Sequence, residues 1–158
     1  MEKQHLDQFF NETIKNSRYE QFALALPITL IYRNLFNETE HFIKEKYDLS
    51  HSEIDVLAAL YFNGKTLSPT DLYSATVFSS GGMTKVLKKL EQRNLISRVP
   101  SPEDKRSMLV SLEKDGEELA LKCMDEMVES RKYFFDALSK EETKVLKKIL
   151  KKLTYKLF

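Results

Sequence analysis

The chain has 158 residues, 42% hydrophobic and 31% charged, which fits one compact domain or two small lobes sharing a core and disfavours disorder. No apolar run approaches the ~20 residues of a membrane span, Met1-Glu2-Lys3-Gln4-His5 lacks the basic start and apolar core of a secretion signal, and the single cysteine, Cys123, excludes an intrachain disulfide framework, so a cytoplasmic protein is expected. The net charge of +1 is uneven: residues 1–64 are net acidic, whereas in 65–106 Lys65, Lys85, Lys88, Lys89, Arg93, Arg98, Lys105 and Arg106 outnumber Asp71, Glu91, Glu103 and Asp104, as expected of a segment that meets a polyanion.

In chain order, the pattern predicts a short helix from Leu6 to about Ile14, then a long one from about Pro27 to Lys46. The long helix has Ile28, Ile31, Tyr32, Leu35, Phe36, Thr39, Phe42 and Ile43 on one face. Ser50-His51-Ser52-Glu53 has the form of a capping box and precedes Ile54, Leu57, Leu60 and Tyr61, up to a break at Asn63-Gly64. Ser68-Pro69-Thr70-Asp71 repeats the form, with proline at the first helical position, and leads into a short helix through Leu72 and Ala75.

Next comes Ser79-Ser80-Gly81-Gly82-Met83-Thr84-Lys85-Val86-Leu87-Lys88-Lys89-Leu90-Glu91-Gln92-Arg93-Asn94, a basic amphipathic helix headed by two of the four glycines. Glycine costs a helix roughly 1 kcal/mol relative to alanine, so a pair at its start needs a reason. At 100° per residue Met83, Val86, Leu87 and Leu90 face inward, and Gly81, Lys85, Lys88 and Gln92 face outward with Thr84 at the edge. Gly81 lies where a DNA backbone or base edge comes closest if the N-terminal half enters a major groove. Gly82 lies nearer the flank, where a missing side chain permits close approach to a neighbouring helix or phosphate. Ser79 and Ser80 are N-cap candidates and potential phosphate donors.

Two strands follow, over Leu95–Val99 and Met108–Leu112, joined by the charged turn Pro100-Ser101-Pro102-Glu103-Asp104-Lys105-Arg106, and they read as a hairpin with a protruding tip. A helix from about Lys114 to Ala137 and a last one opened by Ser139-Lys140-Glu141-Glu142, with Val145, Leu146, Ile149, Leu150 and Leu153 in a stripe, complete the chain. The expected fold is mainly α with a small antiparallel β-hairpin. A winged helix-turn-helix over 49–112 lies between N-terminal helices (1–48) and C-terminal helices (113–158) whose apolar residues are not fully covered within one chain.

From Leu67 to Gly116 these residues resemble the MarR family of bacterial transcription regulators. The likeness is carried by Leu-Ser-Pro-Thr-Asp-Leu, the glycine-headed helix with Leu95-Ile96-Ser97-Arg98, and Asp104-Lys105-Arg106 followed by strand, a leucine and Gly116. The resemblance covers about 50 residues closely, and the helix order extends it to nearly the whole chain. It implies an obligate homodimer whose first and last helices intertwine into one domain, with a recognition helix in each major groove of a palindromic operator and wing arginines in the minor groove. Carried over, Arg106 is the minor-groove finger, Asp104 orients the wing by pairing with a basic residue such as Arg98, Ser80, Thr84, Lys85 and Lys88 lie along the groove, and Lys105 adds a contact.

The resemblance further implies a repressor relieved by a small aromatic or anionic molecule, with Tyr32, Arg33, Phe36, Tyr47, His51 and Tyr61 as lining groups. Two positions depart from the family pattern. Asn94 replaces a glycine at the end of the recognition helix, a benign change because asparagine tolerates the left-handed conformation. Glu113 replaces a threonine at the start of the next helix and is a poor N-cap.

Other functions find less support. Cys123 sits in the apolar run Leu119–Met124, so a redox-responsive regulator is a secondary reading, and His5, His41 and His51 are too scattered for a metal site. No phosphate loop, nucleophile elbow, catalytic constellation or cofactor motif is present, so no enzyme is expected. The alternative is a winged-helix protein-interaction module without specific DNA binding, with the basic, leucine-striped Lys147–Leu153 meeting a partner or a membrane surface.

Overall fold

The computed structural model of the chain describes residues 2–15, 17–76, 82–104 and 106–157. The order is α1 (Lys3–Lys15), a 3₁₀ turn (Ser17–Tyr19), α2 (Glu20–Tyr47), α3 (His51–Phe62), β1 (Thr66–Leu67), α4 (Pro69–Ala75), α5 (Met83–Gln92), β2 (Ile96–Pro100), β3 (Met108–Leu112), α6 (Lys114–Phe135) and α7 (Lys140–Thr154). The fold is mainly α with one small antiparallel sheet. The chain forms two compact units, residues 1–48 and residues 49–158.

In the first unit α1 and α2 pack together. Helix α2 starts at Glu20, ahead of the proline expected to open it. Pro27 removes one backbone bond from the helix interior, but Ala23, Leu24, Ala25 and Leu26 before it are strong helix formers, and the helix runs through. Of the predicted apolar face, Ile28, Ile31 and Tyr32 are exposed, whereas Thr39 and Ile43 are buried.

The second unit is built around α3. Ser50 and Glu53 close both halves of the capping box, and the helix buries Ile54, Val56, Leu57 and Leu60. The Asn63-Gly64 break holds, with Gly64 at φ +87°. After it the chain forms β1, a strand the sequence pattern does not reveal, paired antiparallel to β3 (Thr66 opposite Ser111, Leu67 opposite Val110). The sheet order is β1-β3-β2, and Ile96 to Pro100 face Leu112 to Met108 in the predicted hairpin. Ser68 makes only half a box: its hydroxyl oxygen accepts the Asp71 N–H at 3.0 Å and its hydroxyl donates to the Asp71 carboxylate at 2.7 Å. Leu72, Leu87, Leu90 and Val110 complete the core.

Helix α6 packs on α3. Glu113 gives it no side-chain cap, yet the helix begins at Lys114, with the Glu113 amide donating to the Leu95 carbonyl at 3.1 Å. Gly116 explains itself in this place: a Cβ there would lie 2.0 Å from the Leu95 carbonyl oxygen, a backbone atom that cannot yield. Asn94 adopts the expected left-handed conformation, φ +56°. Helix α7 carries the second complete capping box, Ser139 with Glu142, and buries none of its residues.

Candidate nucleic-acid interface

Helices α4 and α5 follow one another in the order a helix-turn-helix requires, and residues 77–81 between them lie outside the described residues. Helix α5 begins at Met83 with Gly82 as its N-cap residue; Ser79, Ser80 and Gly81 lie outside the described residues, as does Lys105. A side chain at Gly82 would meet nothing within 4 Å, so of the two expected roles the glycine does not serve close approach to a helix among the described residues, and approach to a phosphate remains the other. Of the predicted inward face, Met83, Leu87 and Leu90 are buried and Val86, at its edge, is only half-buried, while Thr84, Lys85, Lys88 and Gln92 are exposed on the other side.

The wing is organised by one carboxylate. The Ser101 amide donates to the Ser107 carbonyl at 2.8 Å, continuing the β2–β3 ladder beyond Pro100 and Met108. Within the loop this closes, Asp104 Oδ1 accepts the Arg106 amide at 3.0 Å and Oδ2 accepts the Ser107 hydroxyl at 2.9 Å. The Ser107 amide returns to the Asp104 carbonyl at 2.9 Å. The Arg106 amide and then the Ser107 hydroxyl hold the Asp104 carboxyl below its ordinary range, because both bonds favour the ionised form.

The implied Asp104–Arg98 pair is therefore corrected. An aspartate readily bonds its own backbone two residues on, and Asp104 takes that local route. Arg98, on β2, instead donates from Nε to Glu91 Oε1 of α5 at 2.9 Å, tying the wing's first strand to the recognition helix.

The cations of this face thus fall into two groups. Arg98 is paired with Glu91, and Lys89 with Glu53 at 2.9 Å. Lys85, Lys88 and Arg106 are exposed and form no ion pair among the described residues. Neither Lys89–Glu53 nor Arg98–Glu91 is predicted from sequence; partners 36 and 7 residues apart leave no periodic signature.

The proposed effector residues are spread along the chain. Tyr32 and Phe36, one helical turn apart on α2, have ring centroids 5.6 Å apart, and Arg33 lines a cleft of the first unit with Leu6, Leu30, Asn34 and Asn37. Tyr47 is buried with its ring edge-on to Phe42. His51 opens α3, and Tyr61, half-buried, meets Phe62 edge-on near its end. Cys123 is fully buried, and burial together with the charge of Glu126 pushes its thiol up to about 11, the reverse of a reactive thiolate.

Comparison with known proteins matches this arrangement. The sequence model of the MarR family covers residues 47–107, from the end of α2 to the wing. The HTH-type transcriptional regulator PecS of Dickeya dadantii is 32% identical over 107 residues, 66% of this chain and 64% of PecS, so the match spans less than two thirds of that relative. A MarR-like transcription regulator of Bacillus cereus has the same fold, with a TM-score of 0.73 at 25% identity over 88% of this chain and 99% of that one. The C80S mutant of MarR from Escherichia coli, solved with operator DNA, aligns with a TM-score of 0.70 at 22% identity over 85% of this chain and 95% of that one. With the winged lobe, the basic helix and the Asp-organised wing in place, the chain is similar over residues 47–107 to the MarR family of winged-helix regulators.

Proposed function

We propose that the chain is a homodimeric, sequence-specific DNA-binding transcriptional repressor. Each protomer presses the start of α5, with Ser79, Ser80, Gly81, Thr84, Lys85 and Lys88, into a major groove and reaches the adjacent minor groove with Arg106, supported by Arg98, Asp104 and Lys105. The observation that carries this reading is the sorting of charge: the cations at the base of the lobe are neutralised, and Lys85, Lys88 and Arg106 on its outer side are exposed without ion pairs among the described residues. The E. coli MarR mutant of the same fold was solved with operator DNA, which supports the same docking. Dimerisation is supported by the half-exposed stripe of Val145, Ile149, Leu150 and Leu153 on α7, apolar surface that a second copy would cover.

Two-fold symmetry doubles Lys85, Lys88, Lys105 and Arg106 into on the order of 6–8 phosphate or groove contacts, so affinity falls by ~10³–10⁵ between 50 and 200 mM salt. It also requires an inverted repeat with half-sites about one helical turn apart. Selection from a randomised duplex library, followed by binding across that salt range, is the test. Enrichment of such a repeat is the expected result, and a protein that enriches no sequence even at low salt is an interaction module instead.

For relief of repression, the aromatic pair Tyr32–Phe36 beside Arg33 suits a small aromatic anion, ring on ring and carboxylate on guanidinium. Phenolic acids at millimolar concentration should raise the melting temperature of the wild type and have no effect on Arg33→Ala. A wild type that does not respond removes the effector from this surface.

A further inference from the structure

Lys89 stands about 40° from Lys85 on the helical wheel, so position alone places it beside the groove-facing lysines. The structure turns it elsewhere. Its Nζ lies 2.9 Å from Oε2 of Glu53, whose side chain is 2% exposed, while Lys89 itself is half-exposed. The same Oε2 accepts the Ser50 amide and the Ser50 hydroxyl, both at 2.8 Å, so one carboxylate closes the α3 capping box and holds a lysine of α5. Its other oxygen, Oε1, is buried with no hydrogen-bond partner among the described residues. Lys89 is the only cation paired with this carboxylate among the described residues. Buried charge is costly unless it is paired, which makes the contact specific. The contacts of α5 through Met83, Leu87 and Leu90 are apolar and do not fix direction, and its other charged tie, Glu91 to Arg98 at 2.9 Å, runs to β2 between part-exposed side chains, so Glu53 is the buried carboxylate that holds the helix to α3.

We propose that Lys89 is a positioning residue: tied to Glu53, it sets the rotation of the recognition helix on the lobe, and with it sequence discrimination, and it neutralises no phosphate. The inference rests on the DNA-reading function proposed above, and its test separates the two.

The affinities of wild type, Lys89→Met and Glu53→Gln are measured from 50 to 200 mM salt on two duplexes, the inverted repeat selected by the wild type and a scrambled duplex of equal composition. For Lys89→Met the ratio of the two affinities is expected to fall on the order of tenfold while the salt slope stays at the wild-type value. Simple destabilisation lowers the active fraction equally for both duplexes and leaves the ratio unmoved. Glu53→Gln keeps the capping box, since the glutamine oxygen still accepts the Ser50 amide, but removes the charge that holds Lys89, so it should lose discrimination similarly. It carries the test if Lys89→Met does not fold. A slope flatter by about one unit per protomer in Lys89→Met would place Lys89 on a phosphate and overturn the inference with the DNA reading intact. An unchanged ratio in either folded variant overturns it as well. A wild type that prefers neither duplex overturns the DNA reading, and this inference with it.

Discussion

Ser50 with Glu53 and Ser139 with Glu142 close the same reciprocal box, each carboxylate 2.8 Å from its serine amide and each serine oxygen 3.4 and 3.2 Å, respectively, from the amide three residues on. Their surroundings differ. Glu53 is 1% exposed and continues to Lys89, and the helix it opens supplies Ile54, Val56, Leu57 and Leu60 to the core. Glu142 is exposed, and α7 buries no residue although Val145, Ile149, Leu150 and Leu153 recur at helical spacing. Identical local chemistry starts both helices, and it says nothing of whether a core exists for them to join. The lobe closes its core within one chain, whereas α7 has the stripe of a packed helix with nothing of its own chain to cover it among the described residues.

The largest effect that tests this contrast comes from the same truncation made in both places. Leu90 is fully buried, so Leu90→Ala should lower unfolding free energy by about 2–5 kcal/mol in urea titrations, independently of protein concentration. Leu150 is 46% exposed, so Leu150→Ala should leave the lobe's unfolding unchanged at concentrations where the chain is a monomer. Its cost should appear only as a weaker dimer in sedimentation, with stability that depends on concentration. A loss from Leu150→Ala that matched Leu90→Ala at every dilution would mean that α7 has a core within one chain, and the contrast would be gone.

The wing sharpens the comparison from the other side, because its tip too is exposed and, among the described residues, is held by local bonds, those of Asp104 and the Ser101–Ser107 closure. Arg106→Ala removes no such bond, since Asp104 is held by the Arg106 backbone amide and not by its side chain. Stability should therefore be unchanged. DNA affinity should fall for selected and scrambled duplexes alike, with a salt slope reduced by about one unit per wing. A normal slope would take Arg106 off the DNA.

Features governed by neighbours in sequence were the legible ones. The two complete capping boxes, the inward face of α5, the β2–β3 hairpin and the left-handed Asn94 each depend on residues a few positions apart, and each stands as expected. Features set by distant partners were hidden. Strand β1 is two residues long and exists because β3 offers Ser111 and Val110 to pair with, so no alternation announces it. Lys89 counts only as one more cation of the basic segment until Glu53 is placed beside it, and Arg98 reads as a partner for Asp104 until Glu91 is seen to hold it. Helix α2 starts earlier than the apolar pattern from Pro27 indicates, because Ala23, Leu24, Ala25 and Leu26 carry the helix up to the proline although their face has no clear apolar period.

The smallest effect separates the two boxes by titration. Burial pushes the Glu53 carboxyl up, but the Lys89 ammonium and the Ser50 amide and hydroxyl together outweigh it and leave Glu53 below its ordinary value of 4.5. Glu142 is also lowered, by the Ser139 amide and hydroxyl, without a cation. A carboxyl whose folded-state pKa is depressed contributes its stability in full above the unfolded value and loses it as pH falls through the folded one. Glu53 links the start of α3 to α5 through Lys89, so its protonation should weaken the cooperative unfolding of the lobe. Between about pH 5 and about pH 3, Glu53→Gln should thus give a flatter profile of lobe stability than the wild type. Glu142→Gln should track the wild type in lobe unfolding, because the exposed box on α7 is bonded only to its own helix. All other carboxyls are shared by the variants and cancel in the comparison. Parallel profiles for Glu53→Gln and wild type would mean that the buried carboxylate does not distinguish the folded from the unfolded chain, and the lobe's box would then be no different in kind from that of α7.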